Sequence, residues 1–183
     1  MSKRATHTGE CQVCGARHML PGGLLASHGY SVKWNSFVGV CPGSSNLPFE
    51  QSADLARRNI SNATLRISAL ETRIAEHDAG TDALMFHRYV RTKGYQSRYV
   101  WTPVASLEVG GESRWISHVV FADGTKERPY AGRRFDRDLR DAFIRYLRSI
   151  VDQEQRYIDW QTKRVADWAP KPLQVRTDGK AVV

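Results

Sequence analysis

The sequence predicts an α+β protein, and three observations carry that assignment. All three cysteines fall between residues 11 and 41. Two segments, 49–77 and 133–168, place apolar residues three and four apart, the period of a helix with one buried face. Between them lie runs rich in aromatic and β-branched residues, punctuated by Gly110-Gly111 and Asp123-Gly124. The expected order is an N-terminal ribbon, a long helix, a small three-stranded antiparallel sheet and a second long helix. The two helices pair as an antiparallel hairpin, with the sheet inserted between them. The corresponding modules are residues 1–48, 49–169 and a flexible tail, 170–183.

The ribbon rests on its cysteines. Cys11 and Cys14 stand in Cys-x-x-Cys spacing with Gly15 directly after, a turn that lets two thiolates face one ion. Two more ligands must come from a separate loop. His28 and Cys41 complete a set of three thiolates and one imidazole, which suits tetrahedral zinc and uses every cysteine. His18 competes with His28, but it follows Cys14 so closely that it would crowd the ion. A redox-active Cys-x-x-Cys would be followed by a helix, and "GARHMLPGG" is not helical. A catalytic zinc keeps one coordination position open beside a carboxylate base. Here four protein ligands are available and Glu10 is the only acid in the first 49 residues, so the expected zinc is structural.

In the first helix, Ala53, Ala56, Ile60, Ala63, Ile67, Leu70 and Ile74 form a heptad seam, a coiled-coil-like pattern whose small residues favour close approach of a partner helix. The second helical segment contains no Gly or Pro and carries Phe135, Leu139, Phe143, Tyr146, Leu147, Ile150, Tyr157, Ile158 and Val165 on one face. Pro170 and Pro172 end it. The same seams could also pair two copies of the chain as a homodimer. Residues 83–91 read as a short helix, and 97–109, 113–124 and 125–130 as the three strands of the sheet.

Net charge is +8 and the pI about 9.7, which favours anionic partners, whether nucleic acid or an acidic protein face. No apolar run is long enough to cross a bilayer and no signal peptide opens the chain, so a cytoplasmic location is expected. Reduced thiols there favour metal ligation over disulfides. From Ala83 to Leu107 there is no acidic residue, while Arg88, Arg91, Lys93 and Arg98 occur among Phe86, Tyr89, Tyr95, Tyr99 and Trp101. Cations neutralise phosphates and flat rings stack on bases, although the same mixture also builds a core with a charged rim. Arg17, Lys33 and Trp34 give the ribbon a second basic-aromatic surface. The arginines at 133, 134, 137 and 140 alternate with Asp136, Asp138 and Asp141 and read as helix-face pairs. No phosphate loop, His-Glu-x-x-His or serine elbow occurs, so no enzyme activity is expected.

Cys11 and Cys14, Gly22-Gly23, His28-Gly29-Tyr30, Cys41-Pro42-Gly43, and then Pro48, Glu50 and Ser52 resemble a zinc-ribbon-like segment of small bacteriophage and prophage proteins. The resemblance covers the first third of the chain. It implies a phage-type origin, hence the cytosol of a bacterial host, and the four metal ligands above. The function expected on this basis is a non-catalytic zinc-stabilised accessory protein that binds and inhibits a host protein, such as a nucleic-acid-directed defence machine. The alternative is a protein that binds nucleic acid directly through its basic-aromatic surface.

Overall fold

The computed structural model describes residues 5–32, 36–91, 97–110, 115–129 and 136–176. In chain order the elements are β1 (His7–Glu10), β2 (Arg17–Met19), β3 (Gly29–Val32), β4 (Ser36–Val40), α1 (Asp54–Asp78), β5 (Met85–Arg91), β6 (Ser97–Pro103), β7 (Ser106–Gly110), β8 (Trp115–Val120), β9 (Lys126–Glu127), α2 (Asp136–Ala166) and β10 (Gln174–Val175). The fold is mixed α and β, with two long helices and small antiparallel sheets. Among the described residues, no helix is long and apolar enough to cross a membrane.

The chain divides into two compact units, Met1–Thr64 with Arg156–Val183, and Leu65–Gln155. Both divisions fall inside a helix, whereas the sequence reading divides the chain at 48/49 and 169/170. The difference has a physical cause: the last turns of α2 carry the side chains that hold the cysteine-bearing loop.

In the first unit, β10, β1 and β2 form one antiparallel sheet and β3 and β4 another. The pairing of His7 with Val175 and Thr8 with Gln174 ties the described part of the expected tail to a strand. Cys11, Cys41, Leu20 and Leu25 form a buried cluster, with Val13 and Leu173 packed against them. Two of those four carry thiols, so sulfur makes up part of this cluster among the described residues.

In the second unit, β5 pairs with β6 as a hairpin, and β7, β8 and β9 form a separate three-stranded sheet. Two expectations change. The segment read as a helix over 83–91 holds a strand, Met85–Arg91, because both faces of β5 find cover: Phe86 joins a cluster with Ile116, Val119, Phe121 and Leu139, while Met85 packs with Phe143 and Leu147. The segment read as one strand over 97–109 is two strands in different sheets. The hand-over is at Val104, whose N–H donates to Leu84, and Ala105, whose N–H donates to Val120. A register shift opposite β8, between Glu108 and Val109, places Ile116 in the cluster of Val119 and Phe121. Strict alternation would set Ile116 and Val119 on opposite faces; a bulge inserts one residue and inverts that phase.

Within each unit, long side chains of α1 reach α2. In the second unit Arg66 forms a bidentate pair with Glu154, and Arg73 and His77 pack on Phe143, so the contacts run in opposite directions along the two helices. In the first unit Asn59 donates to the hydroxyl of Tyr157. Ala53, Ala56 and Ala63 of the seam are buried.

Candidate metal centre

The Cys-x-x-Cys turn is built by its own backbone. The Cys11 N–H donates to Ala16 and the Gly15 N–H returns to Cys11, closing a tight loop. Gly15 takes φ +76°, a conformation that costs a residue with a Cβ about 1–2 kcal/mol. Each cysteine sulfur receives an amide N–H from the residue two positions on: Val13 to Cys11, Ala16 to Cys14 and Gly43 to Cys41. Partial positive charge thus faces all three sulfurs before any ion is considered.

Cys11, Cys14, His28 and Cys41 converge so that one ligand atom from each lies within 4.8 Å of the others, and the four could hold a metal ion. The Cys11 and Cys41 sulfurs are 3.9 Å apart, and the Cys14 sulfur is 3.6 Å from His28 Nε2. The other ring nitrogen of His28 lies 2.8 Å from the Ala26 carbonyl, so Nδ1–H donates there and Nε2 is left as the coordinating lone pair. Ser44 fixes the same residue. Its hydroxyl donates to the His28 carbonyl and accepts from the His28 N–H. Gly43 passes so close that a Cβ there would overlap the Cys11 sulfur. Burial pushes the Cys41 thiol up to about 12, and burial also raises Cys14. Thiols in such surroundings become thiolates at neutral pH only beside a cation.

His18 does not join the four. Its ring stacks on His28 at 3.6 Å, and its Nε2 is buried without a hydrogen-bond partner. The strand β2 follows the Cys-x-x-Cys turn, so the helix expected of a redox-active pair is absent there.

Sequence reasoning missed what holds this loop. Gln12, inside the Cys-x-x-Cys, is buried, and its side-chain oxygen accepts the N–H groups of Leu55 and Ala56 at 2.9 and 3.3 Å. Those are orphan donors at the start of α1, so the metal loop caps the helix. From α2, the buried Gln161 donates to the carbonyls of Gln12 and Val13. Arg164 donates to the carbonyls of Cys11 and Gln12 and pairs with Glu10 at 2.6 Å. The guanidinium of Arg164 lies 4.2 Å from the Phe49 ring centre and 4.5 Å from that of Trp160. The one signal in the sequence was a glutamine on an apolar stripe, Ile158, Gln161 and Val165.

The expected binding residues are divided between the two units. Arg17 pairs with Glu50 at 3.0 Å. Arg88 is mostly buried, pairs with Glu127 and Asp123, and covers the Phe121 ring. Each is therefore engaged by carboxylates of its own unit. Arg98 is exposed with no partner among the described residues. Lys33, Trp34 and Lys93 lie outside the described residues, as do the arginines at 133 and 134. Arg91 ends β5, and its side chain is likewise outside them. The chain matches no protein-family model, no curated protein and no solved structure.

Proposed function

We propose that Cys11, Cys14, His28 and Cys41 hold a structural zinc, and that the protein is a non-catalytic accessory protein that works by binding a macromolecule. One observation carries the metal reading: four ligand atoms converge within 4.8 Å, and two of their six spacings match a zinc tetrahedron. Zinc–sulfur and zinc–nitrogen bonds of about 2.3 and 2.0–2.1 Å, at tetrahedral angles, separate two sulfurs by about 3.8 Å and a sulfur from a nitrogen by about 3.6 Å. The corresponding distances here are 3.9 and 3.6 Å. Three thiolates and one imidazole favour zinc over the oxygen-seeking cations.

The structural role is supported by Glu10. The acid nearest the cysteines is engaged by Arg164, and its N–H by Glu50, so it does not serve as a base beside the ion. Adding a chelator should unfold the first unit, with loss of far-UV signal and gain of protease sensitivity near Cys14. Unchanged spectra after verified zinc removal would refute the structural role.

Inhibition of a host protein by a phage-encoded chain is the form of binding implied by the sequence resemblance, and affinity capture from a bacterial lysate is its test. Direct nucleic-acid binding is a second reading, favoured by the charge distribution. The first unit holds twelve Lys and Arg against six Asp and Glu, which places most of the +8 there. Its Glu10, Glu50 and Asp54 are each held by an arginine of the same unit. Arg58, Arg156, Lys163 and Lys171 remain exposed and unpaired among the described residues. Binding to random DNA or RNA that weakens steeply with salt would support this reading. No binding at low salt would exclude it.

A further inference from the structure

We propose that the metal centre is a peroxide-sensitive switch: a hydroperoxide oxidises Cys14, a disulfide forms with a neighbouring buried sulfur, and the ligand set lets go of zinc. This rests on the structural-zinc reading above and adds its regulation. All three cysteines of the chain lie in the site, so every thiol that an oxidant could meet is a candidate metal ligand. They are not equally open. Cys11 is 0% and Cys41 4% exposed, whereas Cys14 lies at the surface. Oxidation of a thiolate follows its exposure, so Cys14 is the point of entry.

Hydrogen peroxide is the only added reagent. The Cys14 thiolate attacks one peroxide oxygen, forming an S–O bond as the O–O bond breaks and hydroxide leaves. The resulting Cys14 sulfenic acid is within reach of two thiolates, because the sulfurs of Cys11, Cys14 and Cys41 lie within 4.8 Å of one another. One of them attacks the Cys14 sulfur; the S–S bond forms, the S–O bond breaks and a second hydroxide leaves. Two sulfurs each give up one electron, the peroxide takes both, and two protons from solvent turn the hydroxides into water. No helix after the Cys-x-x-Cys is needed, since the Cys14 sulfur attacks a peroxide and not a substrate disulfide.

A disulfide and a tetrahedral zinc cannot share these sulfurs. Bonded sulfurs stand about 2.05 Å apart, and two sulfurs on one zinc about 3.8 Å apart. After oxidation one thiol and His28 remain, two donors in place of four. The effect reaches beyond the ligands within the first unit. Gln12 lies between Cys11 and Cys14, caps α1 at Leu55 and Ala56, and receives Gln161 and Arg164 of α2 on its carbonyl. Movement of either cysteine therefore disturbs the bonds that hold the start of α1 and the end of α2.

The test treats full-length zinc-loaded protein with hydrogen peroxide beside a chromophoric zinc indicator, with dimedone in a parallel sample to trap sulfenic acid. Zinc should appear about tenfold or more faster than in buffer alone, as suits an exposed thiolate. Peptide mapping should find the first dimedone adduct on Cys14, and without dimedone a disulfide joining Cys14 to Cys11 or Cys41. The far-UV signal should fall as zinc appears, and reductant with added zinc should restore it. Zinc retained under excess peroxide overturns the switch alone. So does a first adduct on Cys11 or Cys41, or a Cys11–Cys41 disulfide that leaves Cys14 free. Release through sulfinic acid, which reductant does not reverse, overturns it too. Purified protein that carries no zinc and folds without it overturns both the switch and the metal reading beneath it.

Discussion

Gln161 and Gln12, 149 positions apart in the chain, are joined by a 2.8 Å hydrogen bond from the Gln161 amide to the Gln12 carbonyl inside the Cys-x-x-Cys turn. Gln12 in turn caps α1 through its side chain. The metal loop, the start of one helix and the end of the other are therefore one hydrogen-bonded unit, and substitutions at any of the three should be felt by the others.

Gln161→Leu keeps the side-chain volume but removes the donor to the Val13 carbonyl, while the Gln12 carbonyl keeps Arg164. A buried unsatisfied polar group costs about 1–3 kcal/mol, so the variant should be destabilised by about 2 kcal/mol in urea unfolding while still binding one metal ion per chain. Gln12→Ala removes the cap and should cost about 1 kcal/mol more than an exposed Gln→Ala control.

Gly43→Ala places a methyl group where the Cys11 sulfur lies. The sulfur must move or the loop must open, and either spoils a set of four ligands. Competition with a chromophoric chelator should show zinc affinity reduced by about tenfold or more, as for other changes to atoms that orient metal ligands.

The two histidines separate cleanly by substitution. His28→Ala removes a ligand whose tautomer is fixed by Ala26, and cobalt-loaded protein should lose its tetrahedral absorption bands. His18→Ala removes only a stacked neighbour and a buried nitrogen without a partner, so the bands should persist. Persisting bands in His28→Ala would reassign the fourth ligand.

His77 predicts the pH dependence of the second unit. It is fully buried against Phe143, and burial lowers its pKa below 6.5, helped by the cations of Arg73 and Arg140; Asp82 and Glu76 oppose the shift. The Asp82 carboxylate lies 2.8 Å from Nε2 but is not aligned as a hydrogen bond. Below about pH 6.5 the unfolded chain binds a proton that the folded chain resists, so the unfolded state carries more protons and stability falls with pH. Urea midpoints should decline from pH 7.5 to 5.5, and His77→Gln should flatten that decline. Asp82, held below its usual 3.8 chiefly by the Ala83 N–H, contributes stability that is present above 3.8 and lost as pH falls further.

The candidate ligands were legible because coordination chemistry leaves a residue-type signature: three cysteines and a histidine at loop spacings. The helices were legible because their seams repeat, from Ala53 to Ile74 and from Leu139 to Val165. The supports of the site were not, because Gln161 and Arg164 act on backbone carbonyls, which any residue supplies. Arg88 looked available because its partners, Asp123 and Glu127, lie 35 and 39 positions away. The strand at Met85–Arg91 was hidden by having apolar residues on both faces, which erases the alternation that marks a strand with one wet side.

The most direct measurement is zinc-edge X-ray absorption on purified full-length protein, with metal content determined on the same sample. The proposed site predicts one zinc per chain with three sulfurs at about 2.3 Å, one nitrogen at about 2.0 Å and no oxygen in the coordination sphere. Protein that folds without metal would contradict a structural zinc, and a water or carboxylate oxygen on the ion would contradict a closed, non-catalytic site.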